Sequence, residues 1–182
     1  MMNLKYLLTK IKYVLLGRDP EILNHYFRKK GMLIGKNSKI YSDITTPESY
    51  LIEIGDDVTI STEVQLITHD NSICKLDAAY TDTFGKIKIG SNTFIGARAI
   101  LLPGVRVGSN VIIGAGSVIT KSIPDNVIVA GNPARIIKPI SDSSAYVEKY
   151  GFNVDHLTAE EKKQLLLTAP ERMVIKEEME WN

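Results

Sequence analysis

The sequence predicts an all-β solenoid, a parallel β-helix of three-sided rounds with short helical segments at either end. Three observations between Ile89 and Thr120 predict it. An aliphatic residue returns at every sixth position: Ile89, Ile95, Leu101, Val107, Ile113 and Ile119. Glycine follows four of them, at Gly90, Gly96, Gly108 and Gly114. The fifth position of each hexad is small or apolar throughout: Thr93, Ala99, Val105, Val111, Ser117 and Ile123. A period of six fits neither the 3.6 of a helix nor the 2 of a flat strand, and a sustained internal period signals stacked repeats. One hexad per side of a prism points each aliphatic residue at the axis, so Ile95 is expected to stack beneath Ile113. Such ladders bury a continuous core, each round covering the apolar face of the next. The glycines and asparagines fall where corners would need positive φ or tight turning. Short strands in a β-sandwich give no reason for a strict hexad register.

Taken in order, residues 3–16 place Leu4, Leu7, Leu8, Ile11 and Leu15 at helical spacing, with Lys5, Lys10 and Lys12 on other faces. An amphipathic helix is predicted. Two readings of it stand: a helix packed on the flank or end of the prism, and an interfacial helix making a peripheral membrane contact. Gly17 and Pro20 end it, and Pro20-Glu21 starts a second helix through Tyr26 and Phe27. Arg28, Lys29 and Lys30 read as a solvated end.

The hexads begin weakly at Ile34-Gly35 and Ile40, with Ser38 and Ile44 at fifth positions. TTPESYL, Thr45 to Leu51, reads as a loop or irregular corner because Pro47 disfavours ladder pairing. Register returns at Ile54-Gly55, Ile60 and Leu66 and is lost from Asp70 to Lys86. Ile54 and Ile89 lie 35 positions apart, not a multiple of six, so residues 70–86 are read as an excursion that leaves the coil and rejoins it. Long loops inside compact repeats are usually functional. Pro139 ends the repeats. Thr158-Ala-Glu-Glu161 is a capping box opening a helix through Lys162 to Leu167; Pro170 stops it, and the acidic tail to Asn182 is expected to be helical in part. The organisation is an N-terminal helical segment (1–33), the β-helix (34–140) and a C-terminal helical extension (141–182).

At 182 residues the chain is one domain by length. Its 22 basic and 21 acidic residues leave a net charge of +1, which points away from nucleic acid as a partner. The single cysteine, Cys74, excludes an internal disulfide and a cysteine-based zinc site, and suits a cytoplasmic location. His25 and His156 lie outside the hexads, so no metal requirement is expected. The run MMNLKYLLTKIKYVLLG is interrupted by Lys10 and Lys12 and lacks a cleavage site, unlike a signal peptide. No stretch reaches the roughly 18 apolar residues of a membrane span.

The hexads, together with GAGSVITKSIPDNVIVAGNPARIIKPI (Gly114 to Ile140), resemble the hexapeptide-repeat acyltransferases. Within that group the chain is most similar to the CoA-dependent sugar O-acetyltransferases, including the maltose and galactoside enzymes and those that decorate bacterial surface polysaccharides. The resemblance implies a left-handed coil, whereas the handedness of parallel crossovers would predict the opposite. It implies a homotrimer with acetyl-CoA lying between two subunits and an acetyl group passing to a saccharide hydroxyl.

In the register of Ile54, Ile60 and Leu66, His69 is the fourth residue of its hexad, at a corner and at the root of the excursion. Thr68-His69-Asp70 resembles the family's catalytic-histidine segment, which makes His69 the candidate general base. A base with a pKa near ambient pH suits removal of a hydroxyl proton. Backbone N–H groups at the Gly96-Ala97 corner are candidates to steady the oxyanion. Asp70 either orients the imidazole, binds the acceptor or shapes the loop. The resemblance assigns Ala97 and Ala115 to the pantetheine arm, and Thr120, Lys121, Arg135 and Lys138 to the nucleotide, where cations suit phosphates. Phe94 matches a family aromatic, and Asp43 or Ser42 stands nearest to an acceptor-binding position one coil before the histidine. Other readings remain open: an N-acetyltransferase of an amino sugar, a drug-inactivating O-acetyltransferase, a serine-acetyltransferase-like enzyme and a non-catalytic scaffold.

Overall fold

A computed structural model describes residues 4–178 of the chain. Its short strands fall into three parallel sheets that the chain visits in rotation. The first holds β1 (Leu33–Ile34), β3 (Ile52–Ile54), β8 (Ile87–Ile89) and β11 (Arg106–Val107). The second holds β2 (Lys39–Ile40), β4 (Thr59–Ile60), β9 (Phe94–Ile95), β12 (Ile112–Ile113) and β14 (Val127–Gly131). The third holds β5 (Gln65–Leu66), β10 (Ile100–Leu101) and β13 (Val118–Ile119). Two strands depart from the rotation. β6 (His69–Asp70) pairs antiparallel with β7 (Thr83–Phe84), and β15 (Ala134–Pro139) folds back antiparallel on β14.

The register is the hexad register. Ile95 pairs with Ile113 and Leu101 with Ile119, each 18 positions on, which is three hexads. Elsewhere the rounds differ in length. Ile40 and Ile60 pair at an offset of 20, and Ile60 and Ile95 at 35, because the excursion intervenes between them. The predicted rejoining is therefore observed: Ile54 pairs with Ile89. The first residue of each hexad is buried, forming aliphatic ladders such as Ile40, Ile60, Ile95 and Ile113. Fifth positions complete the core, including Ser38 and Ser117, whose hydroxyls bond to backbone of this or a neighbouring round.

At the corners the positive-φ expectation holds for the asparagines and not for the second-position glycines. Gly90, Gly96, Gly108 and Gly114 are absent from the residues at positive φ. That conformation belongs to the fourth residue of the hexad: Asn37, Asp57, Glu63, Asn92, Arg98, Gly104, Asn110 and Gly116. The second-position glycines serve close approach instead. A Cβ on Gly96 would lie 2.5 Å from the backbone nitrogen of Ala115. Asparagine suits the fourth position because it tolerates the left-handed region, and Asn92, Asn110 and Asn126 pass side-chain hydrogen bonds from round to round at 2.8 and 2.9 Å.

Before the sheets come α1 (Leu4–Leu15) and α2 (Pro20–Lys29), the latter capped by Asp19, whose carboxylate accepts from the Glu21 N–H. Residue 3 lies outside the described residues. α1 packs through its tyrosines: Tyr6 is fully buried among Tyr26 and Phe27, and its hydroxyl donates to the Ser42 carbonyl at 3.0 Å. Arg28 is more than a solvated end. Its guanidinium donates to the Ile34 and Gly35 carbonyls and to Glu21, tying α2 to the first strand.

Residues 141–178 belong to a second compact unit. It contains α3 (Ser144–Tyr150), which the sequence reading had not anticipated, and α4 (Ala159–Thr168), opened by the expected Thr158–Glu161 capping box. A single 3-10 turn at Pro170–Arg172 is the last helical element described. The expectation of a helical tail extends to residues 179–182, which lie outside the described residues.

Candidate active site

His69 interrupts the corner pattern. Where Asp57, Glu63, Asn92 and Arg98 turn at positive φ in the same fourth position, His69 stays extended as β6 and carries the chain out of the coil, its ring 6.1 Å from that of Phe84 on β7. Residues 45–51 are what the ring meets. Continuing the 20-residue offset of Ile40 and Ile60 brings Thr46 and Glu48 level with Leu66 and Thr68, and the side chains join accordingly. Glu48 Oε2 lies 2.8 Å from His69 Nδ1 and accepts from the Thr68 hydroxyl at 2.9 Å. The Thr46 hydroxyl lies 2.5 Å from that of Thr68 and 3.3 Å from Oε2, and its one proton goes to one of them.

This geometry fixes the histidine's tautomer. An ionised carboxylate only accepts, so Nδ1 carries the proton and donates it, leaving the Nε2 lone pair as the basic site of the ring. The carboxyl group is held ionised. Partial burial pushes the Glu48 pKa up, but hydrogen bonds from His69 and Thr68 outweigh this and keep it below the ordinary carboxylate value. The Glu48 side chain is 15% exposed and that of His69 37%, so the carboxylate backs the ring while the ring faces open space. A cavity of about 310 Å³ opens there, lined by Asp43, Thr45, Thr46, Gln65, Thr68 and His69. Asp43 and Gln65 also line an adjoining groove of about 730 Å³ with Lys10, Tyr41 and Arg98. A larger groove of about 900 Å³ runs along the first sheet past Glu53, Lys88 and Arg106 and contains none of the sequence-predicted site residues.

The structure thus brings His69 and Asp43 to one cavity. It holds Asp70 apart from the ring nitrogen that Glu48 engages, since the Asp70 carboxylate accepts the Ser72 N–H at 2.8 Å and shapes the excursion. Ser42 is buried, its hydroxyl donating to the Ser61 carbonyl and accepting the Val64 N–H. Phe94 stands on the outer face of the second sheet between Thr59 and Ile112, away from the cavity lining. Ala97 and Ala115 follow β9 and β12 at one corner, where the Gly116 N–H donates to the Ala97 carbonyl. Thr120 and Lys121 follow β13, both exposed. Arg135 and Lys138 lie on β15, the former donating to the Ala134 carbonyl at 3.0 Å. None of these six lines the His69 cavity.

Glu48 is the residue the sequence reading missed. Its segment breaks the hexad pattern, and the only signal was indirect: the 20-residue spacing of Ile34-Gly35 and Ile54-Gly55, carried forward, sets Glu48 beside Thr68. Among the described residues, no three His, Cys, Asp or Glu side chains gather as metal ligands would.

The family described as bacterial transferase hexapeptide (six repeats) matches residues 86–121. Protein CapG of Staphylococcus aureus is 47% identical over 148 residues, covering 77% of this chain and 84% of that protein. The galactoside O-acetyltransferase of Escherichia coli K12 is 37% identical over 110 residues, 60% of this chain and 54% of its own. A solved galactoside acetyltransferase in complex with coenzyme A superposes with a TM-score of 0.57 at 33% identity, over 71% of this chain and 64% of that one. The chain therefore spans most of the length of CapG and about half of the Escherichia coli enzyme.

Proposed function

The chain belongs to the hexapeptide-repeat transferase family, and on that premise we propose that it moves an acetyl group from acetyl-CoA to a hydroxyl of a saccharide, with His69 as general base. The observation that carries this reading is the 2.8 Å contact between Glu48 and His69 at the wall of an open cavity. The chemistry follows from it. The acceptor oxygen attacks the thioester carbonyl as its proton passes to His69 Nε2, and the C–S bond then breaks. The same proton passes from His69 to the departing thiolate, so base and acid are one residue and no acyl-enzyme forms. As Nε2 takes the proton the ring becomes a cation, and the Glu48 carboxylate stabilises that charge while holding the ring in place. Asp43, on the same cavity, is the side chain we assign to the acceptor's hydroxyls.

The donor reading rests on the corner after β9 and β12. Ala97 and Ala115 carry only a methyl there and reach the surface, which leaves room for an amide-rich arm beside them, and Lys121 and Arg135 are exposed cations suited to phosphates. Because none of these lines the His69 cavity, the reading takes donor and base to meet across a boundary between subunits of a homotrimer wound as left-handed parallel β-helices.

Calorimetric titration of acetyl-CoA, beside a thiol-release assay with saccharide acceptors, tests it. Saturable binding is expected, weakened at least tenfold in Lys121→Ala/Arg135→Ala, with thiol release lowered about 10²–10⁴-fold in His69→Ala. No binding at millimolar donor, or wild-type turnover in His69→Ala, would overturn the reading.

A further inference from the structure

The helix α1 is turned the opposite way from an ordinary surface helix. Its tyrosines face inward: Tyr6 is buried and Tyr13 packs on the core. Its aliphatic residues Leu4, Leu7, Leu8, Ile11, Val14 and Leu15 are all exposed, Leu8 at 56% and Leu15 at 77%. At 3.6 residues per turn these six occupy a continuous arc of roughly 120°. Lys5 and Lys12 fall on one flank of that arc and Lys10 on the other, where it stacks over the Tyr6 ring. Residues 4–18 contain Lys5, Lys10, Lys12 and Arg18 and no acidic residue.

We infer that α1 docks this protein on an anionic lipid surface, its aliphatic arc entering the headgroup boundary and its flanking lysines reaching the phosphates. An apolar arc bordered on both sides by lysine stems is the pattern of a helix lying in the interface plane. The charge selects the occupant. A second copy related by a two-fold axis would set one lysine flank against another, with no carboxylate on the helix to offset it, whereas the phosphates of acidic lipid complement both lysine flanks. The helix lies on the bilayer and does not cross it: among the described residues no helix is long and apolar enough to span. Docking also orients the site. Lys10 shares a groove with Asp43 and Gln65, which line the His69 cavity, so the cavity is held close to the membrane surface, where a lipid-linked acceptor would be presented. That consequence, unlike the docking itself, rests on the acyl-transfer reading.

Co-sedimentation of the full chain with vesicles of phosphatidylcholine, with and without phosphatidylglycerol, tests the docking. The wild type is expected to bind the anionic vesicles and to be released by salt. Leu8→Asp/Ile11→Asp should lose more than tenfold in partitioning, and Lys5→Gln and Lys12→Gln about fivefold each. All four positions are solvent-facing, so far-UV spectra and acetyl-CoA binding should not change. Absence of anionic-vesicle binding, or equal binding by the aspartate variant, overturns the inference. So does a molecular mass by light scattering that falls in that variant, because a second copy would then be what covers the arc.

Discussion

The Nδ1 of His69 lies 2.8 Å from Oε2 of Glu48, a contact that joins two successive rounds of the chain across 21 positions. It makes Glu48 a positioning residue in the proposed reaction, acting through the imidazole. Glu48→Ala is expected to lower kcat about tenfold or more while leaving KM for acetyl-CoA unchanged, against about 10²–10⁴-fold for His69→Ala. The double variant should be no slower than His69→Ala alone, since a residue that works through another adds nothing once that other is gone. Additive losses in steady-state kinetics would mean that Glu48 acts independently.

Acid should loosen the structure through its paired carboxylates. Hydrogen bonds from Lys86 and Lys88 hold Glu53 below its ordinary value of 4.5, and Glu48 is lowered as described above. A depressed folded-state pKa contributes stability that is complete above the unfolded value and is lost as pH falls through the folded one. Melting temperature should therefore hold steady near neutrality and decline below about pH 4.5. Glu53→Gln, which cannot titrate, should show a shallower decline; an unchanged slope would remove Glu53 from the account.

The aliphatic ladder carries the cohesion of the winding. Ile95 is fully buried between Ile60 and Ile113, so Ile95→Ala should cost about 2–5 kcal/mol in denaturant unfolding. The Ser42 hydroxyl accepts the Val64 N–H at 2.7 Å inside the core, and Ser42→Ala, which strands that donor, should cost about 1–3 kcal/mol. A cost near zero for Ser42→Ala would show that another acceptor takes the amide.

Two glycines should respond to alanine for different reasons. At Gly96 the added methyl meets the backbone of the next round, 2.5 Å from the Ala115 nitrogen, and about 1–3 kcal/mol of overpacking is expected. At Gly104, with φ at +84°, nothing lies within 4 Å, so only the left-handed backbone opposes the side chain, at about 1 kcal/mol. Reversal of that order in paired unfolding curves would contradict the packing assigned to the second hexad position.

The sequence by itself determined the rotation through three sheets, the residues that line the axis and the place where the chain leaves and rejoins. The reason is that equal rounds repeat the same environment: a residue's role recurs every sixth position, so Ile95 and Ile113 announce their contact without any structure. That logic fails where rounds differ in length. Glu48 reaches His69 only because the first round is 20 residues long, and a broken pattern such as TTPESYL carries no period from which to read it. The corners illustrate the same division. Glycine at the second position was visible, but whether it answered φ or crowding depended on how closely the next round approached. Tertiary structure also decided which face of α1 turns outward. Amphipathic spacing marks two faces, and the choice fell to the Tyr6 hydroxyl, which found the Ser42 carbonyl, and to the Tyr26 and Phe27 rings around it. Those partners belong to other segments, and no local pattern in the helix could name them.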